Sequence, residues 1–109
     1  MGNEVRITTS VMRVLLAFLT DVAADRYGLD LMHDTGLASG TLYPILVRLE
    51  RAGWVTSQWE AIDPVAEGRP ARRYYRLTPT GVTSGRHELA LIHQQLTRAT
   101  GVIGEARKA

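Results

Sequence analysis

Apolar residues recur along the chain with two different periods, and the change of period divides it into elements. Val11, Val14, Leu15, Phe18 and Leu19 follow the three- and four-residue spacing of one helical face. Thr8 or Thr9 offers a capping oxygen, and the pattern predicts a helix to about Asp21. Met12 and Leu16 widen its apolar face, so this helix needs cover on more than one side. A short second helix is expected from about Leu29 to Thr35, bracketed by Gly28 and Gly36. After the turn-like GLASG, Ser39 is expected to cap a third helix, where Leu42, Ile45, Leu46 and Leu49 form an i, i+3, i+4, i+7 stripe. Pro44 falls in its opening turns, and Gly53 is expected to close it.

The period then shortens. WVTSQWE (54–60) and RRYYRLT (72–78) are rich in β-branched and aromatic residues and predict two strands, joined by the turn chemistry of AIDPVAEGRPA. Strand alternation puts Arg73, Tyr75 and Leu77 on one face and Arg72, Tyr74 and Arg76 on the other. Thr78-Pro79 signals a last helix running to about Thr100. Within it Val82, Gly85, Leu89, Ile92, Leu96, Ala99 and Ile103 make a coiled-coil-like seam, and Gly101 and Gly104 predict fraying before the end. A short helix, a tight turn, a capped helix and a hairpin make a winged helix-turn-helix with one appended helix: an α+β fold, mainly α.

Composition narrows the function. A chain of 109 residues with 45% hydrophobic and 22% charged content reads as one folded domain. With no cysteine there is no disulfide, thiolate metal site or cysteine nucleophile. VMRVLLAFL is broken by Arg13 and too short to span a membrane, and the start lacks signal-peptide features; a cytoplasmic protein is expected. His33, His87 and His93 are scattered, and no phosphate-binding, dinucleotide, nucleophile-elbow or zinc-protease motif occurs. No catalysis, cofactor or metal is therefore expected.

The formal net charge is only +2, yet GRPARRYYRLTPTG (68–81) holds four arginines and no acid. Arg69, Arg72 and Arg73 would cluster near the tip of the hairpin, where a wing meets the phosphate backbone or a minor groove. Pairing with Glu60, Asp63 and Glu67 is the competing expectation, and Arg76, nearer the strand base, reads as structural. With its leucine stripe inward, the third helix presents Thr41, Tyr43, Pro44, Val47, Arg48 and Arg51 outward, and such a helix fits a major groove. Ser39, Gly40 and Thr41 place backbone N–H groups at its start, Tyr43 can donate to phosphate, and Arg48 can meet phosphate or guanine. The candidate DNA-binding set is therefore Ser39, Gly40, Thr41, Tyr43, Pro44, Arg48, Arg69, Arg72 and Arg73, facing a double-stranded operator.

SGTLYPILVRLERAGWV (39–55) and RRYYRLTPTG (72–81) resemble the PadR family of bacterial transcriptional regulators, over roughly residues 9–95. The single closing helix resembles the compact branch of that family. The resemblance implies a homodimeric repressor on a pseudo-palindromic operator, with the first and closing helices forming the dimer interface. Val11, Leu15 and Phe18 of the first helix and Leu89, Ile92 and Leu96 of the last are the expected contacts. The chain would then divide into a flexible arm (1–7), a winged-helix domain (8–78) and a dimerisation helix with tail (79–109). A small-molecule effector at the dimer interface would add to DNA binding. Drug binding between tryptophans, seen in some relatives, does not carry over, because the closing helix has none. The alternative is a winged helix used for protein–protein contact, its basic wing against an acidic partner.

Overall fold

The first helix starts where the Thr8 side chain accepts a hydrogen bond from the Val11 amide at 3.2 Å. In the computed structural model, which describes residues 5–108 and of 102–108 only the backbone, α1 runs Thr9–Thr20. A two-residue strand, β1 (Arg26–Tyr27), leads directly into α2 (Gly28–Thr35), and α3 spans Ser39–Arg51. The hairpin consists of β2 (Val55–Trp59) and β3 (Arg73–Leu77), with a one-turn helix, α4 (Pro64–Glu67), at its tip. The last helix, α5, covers Pro79–Lys108. Most of the predicted arm lies outside the described residues, but Val5 and Ile7 pack partly on the core.

Winged helix-turn-helix architecture follows from how these elements bury their apolar faces. Leu42, Ile45, Leu46 and Leu49 of α3 meet Val11, Val14, Leu15 and Phe18 of α1, and Leu31 of α2 fills the space between. Val55, Tyr75 and Leu77 close the core from the sheet. Each such side chain contributes roughly 1.5–3 kcal/mol by leaving water. The turn between α2 and α3 is made by Gly36, whose φ of 72° is left-handed and whose N–H returns to the Met32 carbonyl.

Several expectations shift at the level of detail. Ser39 is the first helical residue of α3, and the cap position belongs to Ala38, with no side-chain bond. Ala52 occupies the C-cap and Gly53 follows with φ 79°. Pro44 is the sixth residue of the helix, so it removes the helical bond to the carbonyl of Gly40, an exposed residue. The sheet has three strands in the order β1-β3-β2, all antiparallel, with Arg26 opposite Tyr75 and Val55 opposite Leu77. The loop at 61–71 is not all turn: Asp63 caps α4 by accepting from the Val65 amide at 3.0 Å.

Thr78 starts α5 by accepting from the Gly81 amide at 2.9 Å while donating to the Gly53 carbonyl at 2.6 Å. This ties the last helix to the end of α3. The expected fraying at Gly101 and Gly104 is not found, because helix persists through both to Lys108. Thirty residues of helix reach about 45 Å. The molecule measures 66 × 33 × 25 Å, with a radius of gyration of 17.2 Å against about 13 Å for a compact chain of this length. The first half of α5 accounts for its contact with the body: Val82 and Leu89 pack on the core, and Gly85 is buried beside Leu15 and Leu19 of α1. From His93 to Thr100 every residue is exposed.

Candidate nucleic-acid interface

Three sides of α3 have three different fates. The leucine stripe faces the core. Tyr43, Val47 and Glu50 line the side toward the wing, spaced four and three residues apart along one helical face. Thr41, Pro44, Arg48 and Arg51 are all exposed on the remaining side. Ser39 and Gly40 are exposed at its start, while the Thr41 and Leu42 amides are already spent on the Ala38 carbonyl at 3.0 and 2.9 Å. Arg48 and Arg51 make no ion pair among the described residues.

Between the start of α2, the wing-facing side of α3 and β3 lies a crevice of about 280 Å³. Tyr43, Arg72, Arg73 and the backbone of Gly28 to Asp30 line it. The Tyr43 ring lies so close over Gly28 that a Cβ added there would stand 2.0 Å from the tyrosine oxygen. Only glycine permits this packing, which fixes where the hydroxyl points. That hydroxyl has no partner among the described residues, and the side chain is part-exposed.

The wing arginines are paired far more extensively than the run of bases at 68–81 suggests. The Glu60 carboxylate accepts from Arg69 Nη1 at 2.7 Å and Nη2 at 3.2 Å. It also accepts from the Arg72 amide at 2.8 Å, Arg72 Nε at 3.3 Å and the Tyr27 hydroxyl at 3.4 Å. Hydrogen bonding from Arg69, then from the Arg72 amide and side chain, outweighs burial and holds the Glu60 pKa at about 2. The same bond raises Arg69 above its ordinary value. Burial, then the neighbouring Glu60 charge, pushes Tyr27 up, and burial foremost raises Tyr75.

Arg73 is held elsewhere. One of its nitrogens donates to Ser57 Oγ at 2.6 Å and to Glu50 at 3.4 Å, while Ser57 donates to Glu50 at 2.7 Å. Its guanidinium also stands over the rings of Tyr75 at 5.7 Å and Trp59 at 6.0 Å. Arg76 pairs with Asp25, in keeping with a structural role. Pairing, the competing expectation, is what the wing shows, though with other carboxylates as well: four arginines meet three carboxylates, and the helical tip adds Asp63 and Glu67. Glu60 is a partner as anticipated, but Asp63 caps α4 and forms no pair with an arginine. Arg72 keeps the most open guanidinium of the three tip arginines, half-exposed and 4.8 Å above the Tyr27 ring.

Residues 15–90 match the transcriptional regulator PadR-like family. That span covers most of the chain and includes α3, the crevice and the wing. The chain belongs to the PadR-like family. It is a family of transcriptional regulators, not of enzymes. A curated relative, transcriptional regulator Rv3488 of Mycobacterium tuberculosis, is 47% identical over 49 residues, 45% of this chain and 41% of that protein. The chain therefore matches less than half the length of that relative. Among solved structures, smu.1704 from Streptococcus mutans UA159 has a TM-score of 0.69 at 25% identity, over 92% of this chain and 94% of that one. Overoxidized AbfR bound to DNA has a TM-score of 0.66 at 25% identity, over 94% of this chain and 69% of that one.

For this PadR-like chain, the expected DNA-contacting set divides. Ser39, Gly40, Thr41, Tyr43, Pro44 and Arg48 are exposed together on α3, and Arg72 and Arg73 border the crevice beside them. Arg69 is set apart, its fork closed on Glu60 and its Nη1 also on the Pro70 carbonyl. The expected dimer contacts on α1 need correction. Val11, Leu15 and Phe18 are 2%, 0% and 1% exposed within the single chain, because α2, α3 and α5 already cover that face. Leu16, 49% exposed, is the apolar side chain α1 presents outward, on the rim of a groove of about 530 Å³ between α1 and α2. On α5, Leu89 packs partly on its own core, Ile92 is half-buried and Leu96 is 60% exposed; Ile103 lies outside the described side chains. Among the described residues no histidine, carboxylate or cysteine cluster could hold a metal, and no helix is long and apolar enough to cross a membrane.

Proposed function

We propose that this PadR-like regulator is a homodimeric repressor that inserts α3 into the major groove of a pseudo-palindromic operator. The observation that carries the reading is the exposed side of α3. Small, exposed Ser39 and Gly40 at its start favour the approach of a phosphate to their amides, and exposed Thr41 and Arg48 are the side chains this reading assigns to base edges. The crevice beside it offers Tyr43 and Arg72 to the flanking phosphates, with Arg73 at its edge. A structural neighbour, overoxidized AbfR, was solved bound to DNA, which supports DNA binding by this fold.

The dimer part of the proposal rests on the outer half of α5. Leu91 and Leu96 are 41% and 60% exposed on a helix whose residues from His93 to Thr100 are all exposed. A lone amphipathic extension has no core of its own. A second copy would cover it, and Leu16 is the apolar side chain that α1 leaves exposed. Two α3 helices related by that two-fold would reach major grooves about 34 Å apart.

Capture of genomic fragments by the purified protein, followed by sequencing, tests the reading. Enrichment of inverted repeats with half-sites about one helical turn apart is expected. Recovery of fragments without any shared sequence would contradict an operator-reading α3.

A further inference from the structure

We propose that Glu50 is a specificity-determining residue: it holds the charge of Arg73 in reserve, releasing it only to a phosphate seated in the crevice. The proposal rests on the DNA-binding reading above and deepens it.

A carboxylate on a helix that enters DNA is unfavourable in itself, since it meets the phosphates with like charge. Glu50 nevertheless lies on the same side of α3 as Tyr43, one turn beyond Val47 and in the same turn as Arg48 and Arg51. It is not a buried structural pair. The side chains of Glu50 and Arg73 are 37% and 45% exposed, and their ion-pair distance is a long 3.4 Å. Such pairs are weak and open to competition from another anion. Ser57 bridges the two, donating to Glu50 at 2.7 Å and accepting from Arg73 at 2.6 Å, so the guanidinium keeps its seat when the carboxylate lets go. The rings of Tyr75 and Trp59 hold it in the same place. Arg73 also lines the crevice with Tyr43 and Arg72. A phosphate that enters this crevice can therefore replace Glu50 as the partner of Arg73 without moving the arginine far. On a misregistered duplex phosphates pass near the crevice without seating in it, the pair with Glu50 stays closed, and the charge stays cancelled.

Arg72 behaves differently. It shares Glu60 with Arg69, so one positive charge of that trio is always uncompensated. Of the two arginines that line the crevice, Arg72 thus brings the standing charge and Arg73 the conditional one.

The test is fluorescence anisotropy of a random-sequence duplex across a salt series, for the full chain and its variants. Glu50→Gln should steepen the slope of log K against log salt by about 0.9 per protomer, roughly an eightfold larger change per tenfold change in salt. Arg73→Gln added to Glu50→Gln should remove that gain. Alone, Arg73→Gln should flatten the slope less than Arg72→Gln does. A purely structural clasp would move the melting temperature and leave the slope in place. An unchanged slope for Glu50→Gln, or equal flattening by Arg72→Gln and Arg73→Gln, would overturn the proposal. Should Glu50→Gln fail to fold by circular dichroism, the comparison of the two arginine variants decides alone. If the folded wild type binds no duplex even at low salt, the DNA reading falls, and this proposal with it.

Discussion

The glycine at position 28 gives a sharp test of how the interface is built. A methyl group there would stand 2.0 Å from the Tyr43 oxygen and 2.8 Å from Cζ, so the two cannot coexist as they are. The obstacle is the far end of a side chain that is 40% exposed, and rotation about its own bonds relieves the clash. Such a rotamer change costs about 0.5–1.5 kcal/mol. Alanine in place of glycine at the start of α2 returns roughly 0.5–1 kcal/mol of chain entropy. Gly28→Ala should therefore change stability by no more than about 1 kcal/mol, or about 4 °C in Tm. Gly81→Ala is the contrasting control, because its methyl would stand 2.0 Å from the backbone oxygen of Trp54, which cannot rotate away. That oxygen also accepts the Thr78 amide at 2.9 Å. Overpacking against backbone costs about 3 kcal/mol, a drop on the order of 12 °C. The functional consequences invert this order. Gly28→Ala swings the Tyr43 hydroxyl out of the crevice, and loss of a hydrogen bond to phosphate, about 1.5–3 kcal/mol, weakens DNA binding about ten- to a hundredfold. Thermal melts of both variants and an anisotropy titration of Gly28→Ala check these values. A Gly28→Ala protein as destabilised as Gly81→Ala would refute the argument that Tyr43 is free to move. One that binds DNA like wild type would remove Tyr43 from the interface.

Further predictions follow from the packing and the ion pairs. Leu96→Glu, exposed in the single chain, should yield a folded monomer by light scattering, and Leu16→Glu should weaken the dimer in the same measurement. Phe18→Ala, at 1% exposure, should cost about 3–5 kcal/mol in urea unfolding, since it opens a cavity between α1 and its neighbours. Glu60, with its pKa lowered from 4.5 to about 2, contributes stability that is full above pH 4.5 and is lost as pH falls toward 2. Acid unfolding of Glu60→Gln should accordingly be shallower than that of wild type across this interval.

The architecture was legible because the apolar spacing changes wherever the element type changes. The leucine stripe of α3, the alternation through Tyr75 and Leu77, and the Thr78-Pro79 start of α5 each rest on local chemistry, and each holds. What the sequence hid was non-local. β1 is two residues long and exists only because Arg26 and Tyr27 pair with Tyr75 and Tyr74, so no periodicity could reveal it. Glu60 was visible as a partner of the arginine run, but Glu50, 23 residues from Arg73, and Asp25, 51 residues from Arg76, were not. On α1 the apolar face was visible, but which part the chain would cover for itself was not, and Leu16 is what remains outside. Gly101 and Gly104 suggested an end to α5; single glycines within a long helix cost only about 1 kcal/mol each and do not stop it.

The central claim is that two copies of α3 and the crevices beside them grip one operator. Anisotropy of a labelled duplex from upstream of the chain's own gene, titrated with protein at several salt concentrations, measures this directly. The account predicts saturation at two protomers per duplex and log K falling linearly with log salt, with Arg72→Ala reducing the slope by about 0.9 per protomer. A folded protein that binds this duplex and a scrambled one equally, with a slope unaffected by Arg72→Ala, would contradict it.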